Sequence, residues 1–304
     1  MLEVFGFVAP VGLVIAGGVV LRLSGAANAG WVEVLNRYGL YIGFPALIFL
    51  NLTEIDIHQV VSRAPVFGFN AAMLLVILFT TYAVVRALGL GVELGNALMV
   101  SSFFGNVAYL GYPVVTSAFP GSEAEVSIII SIYTLVLFSV GIFILESSRE
   151  HPQGVRQILV RIATNPFIVA IALGFLFIGF DLPVPTILYE ALSMIRGSAS
   201  AVVLISLGIF LAHRIPLRRV WRPTLLIVAL RLAVVPLAAF LATGAVGLGD
   251  ARAVTVVEAA MPLAVTPFAL SSMYPMDREV LVTSIFVSTL LSAVTLPLVI
   301  LLVR

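Results

Sequence analysis

Four stretches of this chain carry no acidic or basic side chain over membrane-spanning lengths: Ala64 to Val85, Val126 to Leu145, Ile162 to Phe180 and Val280 to Val303. A helix needs roughly 20 such residues to cross the hydrocarbon core of a bilayer. Strands of an outer-membrane barrel are short and alternate in polarity, so uninterrupted runs exclude them. Composition agrees. Charged residues make up 10% of the 304 positions, against about 25% in soluble domains, and mean hydropathy is +1.18. The pattern predicts an all-α integral membrane protein.

Several functional classes drop out early. A net charge of +1 gives no reason to expect a nucleic-acid partner, and membrane lipid is the expected surrounding. There is no cysteine, which removes disulfides, thiol catalysis and thiolate metal sites. His58, His151 and His213 lie far apart near predicted helix ends, so no metal cluster is expected. The segment Val4–Leu21 lacks a positive flank before it and reads as a retained helix rather than a cleaved signal.

Ten spans are predicted, at 4–22, 35–53, 64–87, 94–119, 124–146, 157–180, 185–212, 222–244, 251–273 and 279–303. The connections are short, and the longest polar one runs from Glu146 to Arg161, so residues 1–304 read as a single membrane domain. All basic residues are arginine. With the N-terminus outside, eleven arginines (at 22, 37, 86, 149, 156, 161, 214, 218, 219, 222 and 278) fall on the cytoplasmic side. Four (Arg63, Arg196, Arg252 and Arg304) fall outside, and Arg231 stays within span 8. The positive-inside rule then predicts a multi-pass protein of the cell inner membrane with both termini on the periplasmic side.

The two halves echo one another. Ser117 to Val126 reads SAFPGSEAEV and Ser271 to Val280 reads SSMYPMDREV, a shift of 154 that also places Pro113 on Pro267 and Glu125 on Glu279. Pro10 and Gly18 fall on Pro166 and Gly174 at a shift of 156. Each half, approximately 1–149 and 156–304, holds five predicted spans. An odd number forces the second half to enter the membrane from the other side. Inverted repeats of this kind characterise many secondary transporters.

Spans 4 and 9 are both expected to break. Span 4 contains FGNVAYLGYP, Phe104 to Pro113, and span 9 contains EAAMPLAVTP, Glu258 to Pro267. Proline removes an amide donor and clashes with the preceding turn, while glycine loosens the backbone. A single proline kink serves packing. A matched pair at equivalent depth points to a transport site. Half-helix N-termini offer free amides and a positive dipole end to a carboxylate, and unwound carbonyls suit a cation. Candidate substrate-binding residues are therefore Asn106, Gly105, Tyr109, Gly111, Tyr112, Pro113, Pro262, Thr266 and Pro267. Ionisable groups inside a membrane pair with one another or line an ion path. Glu258 and Arg231 are accordingly candidates for ion or proton coupling, or for a structural ion pair, with Met261 and Thr289 beside them. Gly17 and Gly18 read as close-packing positions.

Six segments carry a resemblance over nearly the whole chain, in order: LNRYGLYIGFPALIFLNL, GNVAYLGYPVV, NPFIVAIALGFL, SLGIFL, EAAMPLAVTPFALSSMYPMDREV and STLLSAVTLP. With them the chain resembles the auxin efflux carrier family, within the bile/arsenite/riboflavin transporter-like superfamily that includes bile acid:sodium symporters. The resemblance implies ten helices in two inverted five-helix repeats. Helices 1, 2, 6 and 7 would form a scaffold, through which a homodimer could assemble. Helices 3–5 and 8–10 would move, with broken helices 4 and 9 crossing. It implies transport of a small organic anion, a mono- or dicarboxylate or an auxin-like acid, by alternating access. Neither an enzymatic activity nor a cofactor is expected beyond a coupling Na+ or H+. Glu258 matches an acidic residue that helps hold sodium in the symporters, while Pro262 and Leu263 replace their polar amides, so a proton role stands beside the sodium one. A sodium-coupled carrier of larger amphipathic anions and a ligand sensor that keeps the fold remain as rivals.

Overall fold

The computed structural model of the chain describes residues 2–54, 61, 63–147, 160, 163–212, 217–249 and 251–304. The three histidines, the arginines at 149, 156, 161 and 214, and most of the central connection lie outside the described residues. Among the described residues the protein is all helix, with no β-sheet and a single antiparallel bridge between Gly105 and Leu263. Five helices are long and apolar enough to cross a membrane: Ala64–Ala87, Glu125–Ser147, Thr186–Leu211, Arg218–Val246 and Arg278–Val303. Ala9–Leu23 and Pro166–Gly179 are shorter apolar helices.

In chain order the helices are α1 (Leu2–Leu23), α2 (Gly30–Tyr38), α3 (Phe44–Thr53), α4 (Ala64–Ala87), α5 (Val92–Phe103), α6 (Tyr112–Ala118), α7 (Glu123–Val136) and α8 (Ile142–Ser147). They continue as α9 (Pro166–Gly179), α10 (Thr186–Leu211), α11 (Leu217–Ala229), α12 (Val235–Val246), α13 (Ala251–Ala259), α14 (Thr266–Leu270) and α15 (Arg278–Val303). Wider π-helical turns at Gly39–Gly43, Leu137–Gly141 and Leu230–Val234 join α2 to α3, α7 to α8 and α11 to α12 into continuous rods. Local chemistry sets several ends. Asn165 caps α9 by accepting from the Phe167 N–H at 3.0 Å, and Asp277 caps α15 by accepting from Val280 at 3.2 Å. Gly247, at φ 69°, closes α12 in the left-handed conformation.

Helices α1, α2, α3, α9 and α10 pack on one another. At the α1–α10 crossing the backbones touch. A Cβ on Gly18 would overlap the Ile205 carbonyl oxygen, and one on Gly208 would overlap that of Ile15, so no larger residue fits either place. Gly17, next along α1, meets nothing within 4 Å and has no such role. A second group is knit by α4 with α5 and α7, α11 with α15, and α13 with α12 and α15. Large apolar side chains such as Leu13, Val76, Leu237, Leu298 and Leu302 stand on the outside. In water that surface would drive aggregation; against lipid it carries no penalty.

Candidate functional site

The helix that starts at Val92 stops at Phe103, and residues 104–106 run non-helically before a π-helical turn, Val107–Gly111, leads into α6. The helix that starts at Ala251 stops at Ala259, and α14 begins only at Thr266. Pro267 sits in the first turn of α14, where a missing N–H costs nothing, while Pro113 directly follows the π-helical turn, seventh in the 107–118 run. The two interruptions meet. Asn106 donates its backbone N–H to the Pro262 carbonyl at 2.8 Å, and Ala264 donates to the Phe104 carbonyl at 2.9 Å. The Leu263 N–H goes to Ser288 Oγ at 3.2 Å. Polar backbone released by each break is thereby satisfied by the other, as an apolar interior requires. Phe104 packs edge-on against Phe138 with ring centroids 5.7 Å apart, and Phe138 stacks on Phe167 of α9 at 4.6 Å. This aromatic row seats the crossover against the first helix group.

One face of the crossover borders a cavity of about 360 Å³. Asn106, Pro113, Leu263 and Thr289 form its near wall, and the far wall comes from Pro10 and Val14 of α1 with Ser200 and Leu204 of α10. Asn106, Ser200 and Thr289 supply its polar side chains; among the described residues no charged side chain lines it. The cavity is of the size and polarity that hold a small molecule with a mostly apolar body.

The opposite face is dry and charged. Arg231, in the π-helical turn between α11 and α12, has no solvent exposure, and neither has Glu258 near the end of α13. The guanidinium donates from Nε to the Met261 carbonyl at 2.8 Å and from Nη1 to the Ser102 carbonyl at 3.2 Å. Its plane lies against Gly105, where an added Cβ would overlap Nη2. The Glu258 carboxylate lies against Gly111 in the same way, and neither of its oxygens accepts a hydrogen bond. Tyr133 of α7, also fully buried, is in electrostatic range of both and its hydroxyl has no hydrogen-bond partner.

The structure thus separates residues that the sequence grouped together. Gly105, Asn106 and Pro262 form the crossover itself, while Asn106, Pro113 and Thr289 reach the cavity. Gly111 and Met261 serve the charged face, Met261 through its carbonyl. Thr266 and Pro267 are buried in the first turn of α14 away from the cavity lining, and Tyr112 is 39% exposed and does not line it. The Tyr109 side chain lies outside the described residues. Arg231 and Glu258 form no direct ion pair, since the guanidinium is turned to backbone carbonyls. Sequence reasoning missed Ser200, Leu204, Pro10, Val14 and Tyr133. The run of small residues Gly197-Ser198-Ala199-Ser200-Ala201 inside an apolar helix was a signal for the far wall. Tyr133 gave none.

The model of a family described as "Membrane transport protein" matches residues 3–300. An uncharacterized transporter of Methanothermobacter thermautotrophicus is 32% identical over 286 residues, covering 92% of each chain. A second uncharacterized transporter, from Methanocaldococcus jannaschii, is 24% identical over 298 residues, again with 92% of each chain covered. A match over nearly its whole length places this chain in the membrane transport protein family, the auxin efflux carrier family that its motifs resemble.

Proposed function

We propose that the protein is a secondary active carrier of a small organic anion, working by alternating access at the crossover. The observation that carries this reading is the antiparallel pairing of two interrupted helices beside a cavity whose other wall belongs to a separate helix group. Interrupted helices offer backbone groups to a ligand, and a site between two bodies is exposed to either side when one moves. The substrate carboxylate would be held by Asn106, by the amides at the start of the 107–118 helical run, and by Ser200 and Thr289.

In this reading ten spans form two inverted repeats. Helices α1–α3, α9 and α10 are the scaffold and the remainder is the moving part. Ion pairing supports the repeat: Arg63 binds Glu125 at 2.8 Å, and Arg219 reaches Glu279 at 3.5 Å. These arginines and glutamates are related by shifts of 156 and 154. Scaffold and moving part are also latched at the arginine-rich end. Asn36 donates to Ser272 Oγ at 3.2 Å and accepts from Ser206 at 2.9 Å. Asn165 donates to the Tyr274 hydroxyl at 3.2 Å, which donates to Glu146 at 2.8 Å. We place that end in the cytoplasm, the protein in the inner membrane, and any homodimer contact on the scaffold.

The test is a thermal-shift screen of the purified protein against mono- and dicarboxylates, followed by uptake into vesicles. A ligand that binds the folded state raises its stability with saturation. Stabilisation by one class of carboxylate, lost together with uptake in a folded Asn106→Ala variant, is the expected result. Undiminished uptake in that variant would sink the assignment.

A further inference from the structure

The carbonyls that Arg231 holds are those that the two breaks release. Ser102 lies in the last turn of α5 and Met261 just beyond the end of α13. Helix C-termini carry partial negative charge and unsatisfied carbonyls, so two of them converging in an apolar interior call for a cation. The guanidinium stands there, fully buried and pressed against Gly105. Among the described residues Arg231 and Glu258 are the only charged side chains with no exposure at all, one of each sign. We infer that Arg231 is a resident, tethered cation that neutralises Glu258 and the crossover carbonyls, so that the carrier cycles without a dissociable alkali-metal ion.

Charge balance carries the argument. Burial of an unpaired ion is costly, and the carboxylate and guanidinium compensate one another across the crossover without direct contact. A bound sodium ion would bring a second positive charge into the same buried cluster. The guanidinium also does what a diffusible ion cannot, because its planar fork bonds both interrupted helices from a third, α11–α12, at fixed geometry. The inference rests on the carrier reading only in calling the missing ion a coupling ion; the cation site itself is a property of the fold.

The experiment measures Tm of the full-length protein in detergent, at constant ionic strength, in sodium, potassium, choline and millimolar guanidinium chlorides. No substrate is involved, so its failure is distinct from failure of the carboxylate screen. Wild type is expected to give the same Tm in all four. Arg231→Ala is expected to be destabilised and to recover in a saturable way with guanidinium or sodium, a response that loss of packing alone would not produce. Saturable stabilisation of wild type by sodium, abolished in Glu258→Gln, would overturn the inference. So would a folded Arg231→Ala protein that responds to no cation. Should that variant not fold, the wild-type comparison decides alone.

Discussion

The backbone N–H of Asn106 bonds to the carbonyl of Pro262 at 2.8 Å, which joins two helix interruptions 156 positions apart in the chain. Pro262 cannot donate, and its carbonyl, left without an intrahelical partner, is satisfied from the other half of the molecule. The bond also fixes which face of Asn106 is left for the cavity. Among the described residues the two fully buried charges, Arg231 and Glu258, lie on one side of that pair and the cavity lies on the other.

Gly105 faces a guanidinium that is held at two points. Gly105→Ala would push its Cβ into Nη2, and Arg231 can withdraw only by giving up a buried bond. The expected destabilisation is about 1–3 kcal/mol, read as a lowered Tm. An unchanged Tm would show that the guanidinium is not fixed against the backbone.

At the α1–α10 crossing the obstacle is main chain, which cannot rotate away. Gly208→Ala is therefore expected to separate the two helices and to cost at least as much, about 2–4 kcal/mol. Gly17→Ala on the neighbouring face of α1 is expected to be neutral or slightly stabilising. Paired thermal melts of these variants check the contrast.

Removing the charge of Glu258 leaves Arg231 buried without compensation. Glu258→Gln is expected to lower Tm, although Arg231 keeps its two carbonyl partners. Combining it with Arg231→Met should lower stability by much less than the sum of the single changes. A double-mutant cycle on chemical or thermal unfolding measures the coupling. Additive losses would mean that the two groups do not sense one another.

The latch predicts a conformational shift. Tyr274→Phe deletes the hydroxyl that joins Asn165 to Glu146. Of the two bonds lost, only that from Asn165 joins scaffold to moving part; its loss, about 1 kcal/mol net, should change the ratio of the two carrier states about fivefold. Because the chain has no cysteine, Val14→Cys on the cavity wall provides a clean reporter. Its labelling by a membrane-impermeant maleimide should change in the Tyr274→Phe background, and an equal rate in both backgrounds would remove the latch role.

The carboxylate pairs at the helix ends should matter little. Glu125→Gln breaks a partly exposed contact to Arg63 and is expected to cost under about 1 kcal/mol, while Glu279→Gln, whose partner Arg219 is exposed, is expected to leave Tm unchanged.

Features that follow from the order of residues along one chain were legible before the fold. Uncharged runs of membrane length made the chain a bundle of apolar helices, because backbone polar groups in lipid must bond within their own segment. Gly105, Pro113, Pro262 and Pro267 marked where two helices must stop, because their backbones cannot keep the ladder. Tertiary structure alone decided which freed groups meet. Arg231 and Glu258, both ionisable and at similar depth, read as a coupling pair or a structural ion pair; the fold turned one toward carbonyls and set the other against Gly111. The far wall of the cavity, Pro10, Val14, Ser200 and Leu204, comes from helices that have no break, and Tyr133 reaches the buried charges from a regular one. Periodicity and breaks are local, so a single sequence displays them. Which faces converge depends on how helices far apart in the chain cross, and no residue states that alone.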